Sequence, residues 1–287
     1  MSYVVTGATG HLGRLVVEHL LADGVPAAEI VATGRRTDRL ADLAAQGVRV
    51  VAVDYERPET LAAAVEGADV VLLVSGSEVG RRVAQHRAVI EAAQAAGVGR
   101  IVYTSAPHAD TSALVLAPEH KATEELLRAS GLTTTILRNG WYTENYVGDV
   151  QQAAASGEIV AAVGDGRVAS APRDDYAAAA AVVLRTPGHE GAVYELSGDV
   201  AWSFADLAAA AAEVLGRPVV YRPVPSEQRR ADLLAAGLDE GTAGFVIALE
   251  ENTRDGLLAE TTGDLARLIG RPTTPLADAL RAALAAA

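Results

Sequence analysis

Residues 5–13 read Val5-Thr6-Gly7-Ala8-Thr9-Gly10-His11-Leu12-Gly13. A short β-branched run precedes them and an amphipathic segment, Leu12–Ala22, follows. Strand, glycine turn and helix N-terminus in that order let bare backbone N–H groups approach a pyrophosphate. Gly7 allows the tight turn, Gly10 lets a phosphate come close, and Gly13 lets the helix lie on the strand. Glycine spacing alone is common; its position between a strand and a helix gives it weight.

Outward from this turn, apolar strands alternate with helical patterns, the mark of parallel βαβ units. The strands expected are Ser2–Thr6, Glu29–Thr33, Arg49–Val53, Asp69–Val74, Arg100–Thr104, Thr134–Leu137 and Ala192–Leu196. Between them Leu12–Ala22, Arg39–Gln46, Glu59–Val65, Arg81–Ala96 and Glu119–Ala129 carry apolar residues at helical spacing. The nearly continuous apolar strands fit a sheet covered on both faces. The fold class is therefore α/β, a Rossmann-type doubly wound parallel sheet. Beyond Arg138 the rhythm changes. Gly140–Tyr146 reads as a loop, and Ala153–Ile159 and Tyr176–Leu184 as helices. Phe204–Leu215, Glu227–Ala236, Thr261–Ile269 and Leu276–Ala285 also read as helices, with a strand at Val219–Arg222. This predicts a dinucleotide-binding domain over 1–140, joined by a return segment at about 176–198. Residues 141–175 and 199–287 form a smaller C-terminal substrate lobe.

The 287 residues are 50% hydrophobic, enough for a sizeable core. There is no cysteine, which excludes disulfides, thiolate metal sites and cysteine nucleophiles. A formal net charge of −13 disfavours nucleic acid as a partner. Apolar stretches such as Ala177–Leu184 are too short to span a bilayer, so a cytoplasmic protein without a membrane span is expected.

Ligands on such sheets bind outside the carboxyl ends of the strands. After the second strand, where an NAD-preferring protein places an acid, the sequence reads Gly34-Arg35-Arg36. Either these and Arg39 are solvated loop arginines, or Arg35 reads a 2′-phosphate bidentately, which makes the cofactor NADPH. Asp54-Tyr55 closes the third strand, as an adenine rest or as a simple turn. Ser75-Gly76-Ser77 closes the fourth and suits the middle of the cofactor; Thr104-Ser105-Ala106 closes the fifth.

Short-chain dehydrogenases generally carry Tyr-x-x-x-Lys on the helix after the fifth strand, the lysine lowering the tyrosine pKa. Here the only lysine is Lys121, and four residues before it stands Ala117. The helix offers instead His120-x-x-x-Glu124 on one face, either a surface contact or a polar pair lining a nicotinamide pocket. Without a nearby third ligand it is not read as a metal site. Losing the tyrosine points to an acceptor that takes hydride with little help, or to no catalysis.

Thr6-Gly-Ala-Thr-Gly-His-Leu-Gly13, Ser77-Glu-Val-Gly80, His108-Ala-Asp-Thr-Ser112, Arg138-Asn-Gly-Trp-Tyr-Thr-Glu-Asn-Tyr146, Asp175-Tyr-Ala-Ala-Ala-Ala180 and Gly191-Ala-Val-Tyr-Glu-Leu196 closely resemble the NADPH:quinone oxidoreductase 2 type of atypical short-chain dehydrogenase. Triphenylmethane reductases and the broader NmrA-like group are relatives. The resemblance runs to Leu268-Ile-Gly-Arg-Pro-Thr-Thr274, and Asn-Gly-Trp-Tyr is its most specific part. It implies pyrophosphate contacts from Gly7, Ala8, Thr9, Gly10, His11 and Leu12, with Arg35 on the 2′-phosphate. Asp54, Ser75, Gly76 and Ser77 follow along the cofactor, with Asn139, Gly140, Trp141, Tyr142, Thr143 and Glu144 at its nicotinamide end. Trp141 and Tyr142 would offer aromatic faces to a flat substrate, unless Trp141 packs between lobes, and His108 and His120 near the same opening would be candidate proton sources. Catalytic candidates are His120, Ser105 and Tyr142. The expected reaction is hydride transfer from NADPH to a quinone, or to an electron-poor acceptor such as a triphenylmethane dye. The partner is then a small aromatic molecule, and a homodimer is compatible with the reading. The competing class is a non-catalytic NmrA-like redox sensor that binds the dinucleotide and acts through a protein partner.

Overall fold

No residue of Ile30–Gly34, Val70–Leu73 or Arg100–Ser105 faces solvent, so these segments need cover on both sides. A computed structural model describes residues 1–286 and supplies that cover. In chain order the strands are β1 (Tyr3–Val5), β2 (Ile30–Gly34), β3 (Arg49–Ala52), β4 (Val70–Leu73), β5 (Arg100–Ser105), β6 (Thr133–Asn139), β7 (Glu158–Ala161), β8 (Arg167–Val168), β9 (Val193–Leu196), β10 (Trp202–Ser203) and β11 (Val220–Pro223). Among the described residues one seven-stranded sheet runs β3-β2-β1-β4-β5-β6-β9, and every pairing in it is parallel. The order reverses at β1/β4. In doubly wound sheets a ligand crevice opens at such a reversal, beyond the carboxyl ends of the strands.

The chain divides into two compact units. The first comprises 1–110, 116–139 and 173–196; the second comprises 111–115, 140–172 and 197–287. In the first, α1 (His11–Ala22) follows β1, the short α2 (Ala41–Ala45) follows β2, and α3 (Pro58–Val65), α4 (Arg82–Ala95) and α5 (Ala117–Ala129) follow β3, β4 and β5. Helices α3, α4 and α5 pack side by side. Their Leu61, Val65, Val89, Ile90 and Leu127 bury against Val4, Val31, Val71, Leu73, Ile101 and Tyr103 of the strands. Strand residues of the other parity, such as Val5, Ala32 and Leu72, point to the opposite face and are equally buried. On the return segment, α7 (Arg173–Arg185) packs on α1. Arg100, buried at the start of β5, donates from Nη2 to the carbonyls of Val183 and Leu184 at 2.9 Å, closing the C-terminal end of α7.

The second unit holds α6 (Val147–Ser156), α8 (Phe204–Leu215), α9 (Ser226–Ala235), α10 (Glu240–Arg254), α11 (Asp264–Ile269) and α12 (Leu276–Ala285). It also holds two small sheets, parallel β7/β11 and antiparallel β8/β10. Two sequence expectations change here. The helix expected over Ala153–Ile159 ends at Ser156, because Gly157 is left-handed (φ 74°) and Glu158–Ala161 turns into β7. Helix α10, which the periodicity did not suggest, packs on α9 through Leu233, Ala243 and Ile247. Among the described residues no helix is long and apolar enough to cross a membrane.

Candidate active site

The turn between β1 and α1 fits a dinucleotide by its packing. Gly7 adopts φ 62°, and a Cβ on Gly13 would lie 2.6 Å from the Gly7 carbonyl oxygen. The N-cap of α1 is Gly10, and no side chain caps this helix. Its first turn therefore presents amide N–H groups with the positive end of the helix dipole. Ala8 is buried and its N–H donates to Thr33 O at 2.8 Å, tying the turn to β2. His11 is exposed and Leu12 buried. The sequence left Gly34 without a role. A Cβ there would lie 2.5 Å from the Thr9 side chain, so the end of β2 is glycine to make room for Thr9.

Arg35 follows β2 directly, its side chain 69% exposed and its Nη1 3.1 Å from Glu78 Oε1. Asp54, after β3, makes local turn bonds. Its Oδ1 accepts from Glu56 N–H at 3.1 Å, and its own N–H donates to Thr60 Oγ1 at 3.0 Å. Tyr55 packs its ring against the main core.

The Ser75–Ser77 segment is held from behind. Ser75 N–H donates to Thr104 Oγ1 at 2.9 Å, and Gly76 N–H donates to His86 Nε2 at 3.0 Å. Arg82 Nε donates to the Gly76 carbonyl at 2.7 Å while its Nη1 pairs with Glu119 at 2.8 Å. Since His86 accepts at Nε2, its proton sits on Nδ1, which contacts Thr123 Oγ1 at 3.0 Å. Burial, then the nearby His120 and Arg82, depress the His86 pKa to about 3, so the ring is neutral. None of His86, Arg82 or Glu119 was singled out from the sequence. The available signal was a histidine and an arginine on the inner face of α4.

His120 and Glu124 both face inward on α5, but they serve different partners. His120 is 5% exposed, with Nδ1 2.7 Å from Tyr103 OH. Burial and Arg82 depress its pKa to about 3. Ser105 Oγ donates to Glu124 Oε1 at 2.7 Å. Arg138, at the end of β6, grips Glu124 with Nε at 3.0 Å and Nη2 at 2.7 Å. Its Nη1 reaches Glu195 at 2.8 Å and Asp110 at 3.0 Å. Burial works against the Arg138 charge, but the hydrogen bonds to Glu124, Glu195 and Asp110 outweigh it and raise its pKa. Glu195 also receives the His108 N–H at 3.1 Å, with His108 Nδ1 3.3 Å away. His108 is non-glycine at φ 45°, a strained backbone of the kind that clusters at functional sites.

Asn139 ends β6 in the first unit. Gly140–Glu144 belong to the second unit, where Tyr142 bridges to Ala171. The Ala171 N–H donates to the Trp141 carbonyl at 3.1 Å, and Thr143 N–H donates to Ala171 O at 3.0 Å. Thr143 Oγ1 lies 2.8 Å from Ser170 Oγ, which also accepts from Trp202 Nε1 at 3.0 Å. Trp141, Tyr142 and Glu144 remain partly exposed. Among the described residues no group of three or more His, Asp or Glu is placed to hold a metal ion.

A doubly wound parallel sheet with an uncapped glycine turn at its switch point defines a dinucleotide-binding protein. Residues 7–187 match the model of the NAD(P)H-binding family. Quinone oxidoreductase 2 of Escherichia coli is 47% identical over 96% of this chain and 96% of its own length. The E. coli NADPH-dependent quinone oxidoreductase solved with NADPH superposes with a TM-score of 0.93 at 46% identity, covering 98% of each chain. Citrobacter triphenylmethane reductase solved with NADP(H) gives 0.93 at 39% identity, covering 99% of this chain and 100% of that one. The chain belongs to the NAD(P)H-binding family and, within it, to the quinone oxidoreductase 2 group.

Proposed function

We propose that the chain is an NADPH-dependent oxidoreductase acting on quinones or similarly electron-poor acceptors such as triphenylmethane dyes. Bound NADPH supplies the hydride. Gly7, Ala8, Thr9, Gly10, His11 and Leu12 hold the pyrophosphate, and Arg35 the 2′-phosphate. Asp54 and Ser75–Ser77 line the adenosine and central parts, and Asn139–Glu144 the nicotinamide end. The second unit acts as the substrate lobe, in which Trp141 and Tyr142 stack on a flat acceptor. His108 is also assigned to the substrate.

The observation that carries this reading is the state of α5. Ala117 stands where a tyrosine would be, and His120 is neutral, buried and committed to Tyr103. Ser105 commits its hydroxyl hydrogen bond to Glu124. We assign Ser105 and His120 a positioning part, behind the residues that would meet the acceptor. An acceptor that needs a strong enzyme acid is poorly served by this arrangement. A quinone accepts hydride to give a hydroquinone anion, and water completes its protonation. The relatives' names, a quinone oxidoreductase and a triphenylmethane reductase, support the same acceptor class.

The test is to follow loss of the reduced-nicotinamide absorbance with NADPH and benzoquinone, then with a triphenylmethane dye. Steady turnover with either is expected. Equal binding of oxidised and reduced cofactor without turnover would overturn the reading in favour of a sensor.

A further inference from the structure

Where proteins that prefer NAD carry an acid at the end of β2, this chain carries Arg35, and an acid approaches from elsewhere. The Arg35–Glu78 contact joins the end of β2 to the segment that follows β4. Because β1 lies between β2 and β4 in the sheet, the pair bridges the carboxyl end of β1, from which the glycine turn departs.

Glu78 is held in place. Its Oε2 accepts from Gln85 Nε2 at 3.2 Å, and Arg81 Nη1 lies 3.5 Å from the same oxygen. Gln85 is itself buried. The Glu78 carbonyl accepts the N–H groups of Arg81 and Arg82, at 3.1 and 3.0 Å, at the entry to α4. Arg81 in turn pairs with Glu56 beyond β3. The carboxylate is therefore a fixed counterion, 32% exposed, aimed at the guanidinium assigned to the cofactor phosphate.

We propose that Glu78 is a built-in competitor of the 2′-phosphate for Arg35, and that it sets how strongly the protein prefers NADPH over NADH. The proposal rests on the assignment of Arg35 made above. A ribose phosphate brings roughly −1.5 to −2 charge and three acceptor oxygens, against one charge and two oxygens for the carboxylate. It displaces Glu78 from Arg35, and Glu78 falls back on Arg81 and Gln85. Binding the phosphate therefore forfeits the Arg35–Glu78 ion pair. NADH has no such phosphate and leaves the pair intact. Glu78 thus lowers affinity for NADPH alone.

The experiment is calorimetric titration of the full chain with NADPH and with NADH, for wild type, Glu78→Gln, Arg35→Ala and the double variant. Glu59→Gln, whose carboxylate pairs with Arg57, controls for net charge. Glu78→Gln is expected to tighten NADPH about two- to fivefold, the range of an exposed pair, with NADH unchanged. In the Arg35→Ala background the effect vanishes, and Glu59→Gln leaves both affinities alone. The proposal is overturned if Glu78→Gln leaves NADPH affinity unaltered, tightens NADH equally, acts without Arg35, or is matched by Glu59→Gln. NADPH affinity that Arg35→Ala does not reduce removes the assignment of Arg35 and the proposal together. A loss with Arg35→Ala and no response to Glu78→Gln removes the proposal alone.

Discussion

At the scale of single residues, two buried histidines and one buried carboxylate dominate the chemistry of the first unit. His86 and His120 titrate at about 3 in the fold, against about 6.5 when unfolded. Between those values the unfolded chain binds more protons, so stability is full above about pH 6.5 and falls as pH drops towards 3. Each ring contributes a slope of about 1.4 kcal/mol per pH unit in that window. Urea melts from pH 7 to pH 4.5 should show this fall, and His86→Gln should flatten it. In the second unit Asp149 works the other way. Burial raises its pKa to about 6, with Arg229 opposing and Glu250 adding, so its share of stability grows as pH falls through 6. Glu124→Gln is expected to cost about 3 kcal/mol, since Arg138 would lose its bidentate partner in a buried site. Chemical denaturation at neutral pH measures it.

At the scale of elements, β1, its glycine turn and α1 form one rigid piece. In Gly13→Ala the new methyl would meet the Gly7 carbonyl and the Ala8 amide, both backbone atoms that cannot swing aside. Stability should drop by about 1–3 kcal/mol, and NADPH affinity should fall with it because the helix N-terminus moves off the turn. A thermal melt and a cofactor titration check both. The sheet was legible because its strands are short apolar runs punctuated by polar or glycine ends, as Val70–Leu73 shows. The two departures have separate causes. Glu158-Ile-Val-Ala161 becomes a strand only because Val220–Pro223 lies beside it, a partner some 60 residues away that no local pattern reveals. Helix α10 hides because Phe245, Val246 and Leu249, none of them fully buried, blur the apolar stripe formed by Ala243 and Ile247. In the candidate site the glycine turn, and the place of Arg35 directly after β2, could be read from spacing. The grip of Arg138 on Glu124, Glu195 and Asp110 could not, because β6, α5, β9 and the segment after β5 meet only once the sheet has formed.

At the scale of the whole molecule, the first unit is assembled from three separate stretches of chain. Its last segment brings α7, whose Asp174 meets His19 at 2.8 Å and whose Arg185 meets Asp23 at 2.9 Å on or beside α1. It also brings β9, whose Glu195 completes the Arg138 cluster. A fragment ending at Asn139 keeps the glycine turn and Arg35 yet loses the cover of α1 and one edge of the sheet. Such a fragment is expected to bind NADPH far more weakly than the full chain, or to remain unfolded. Circular dichroism and cofactor titration distinguish the two outcomes from native-like binding, which would contradict the expectation.

That division of the chain also dictates an order of synthesis. The ribosome delivers six strands, then the stretch 140–172, and only afterwards the seventh. Until residue 196 has emerged, β6 presents an unsatisfied row of amides and carbonyls, the kind of edge on which nascent chains adhere to one another. Slowing translation within that interval is expected to prolong the exposure and to lower the yield of soluble protein during overexpression.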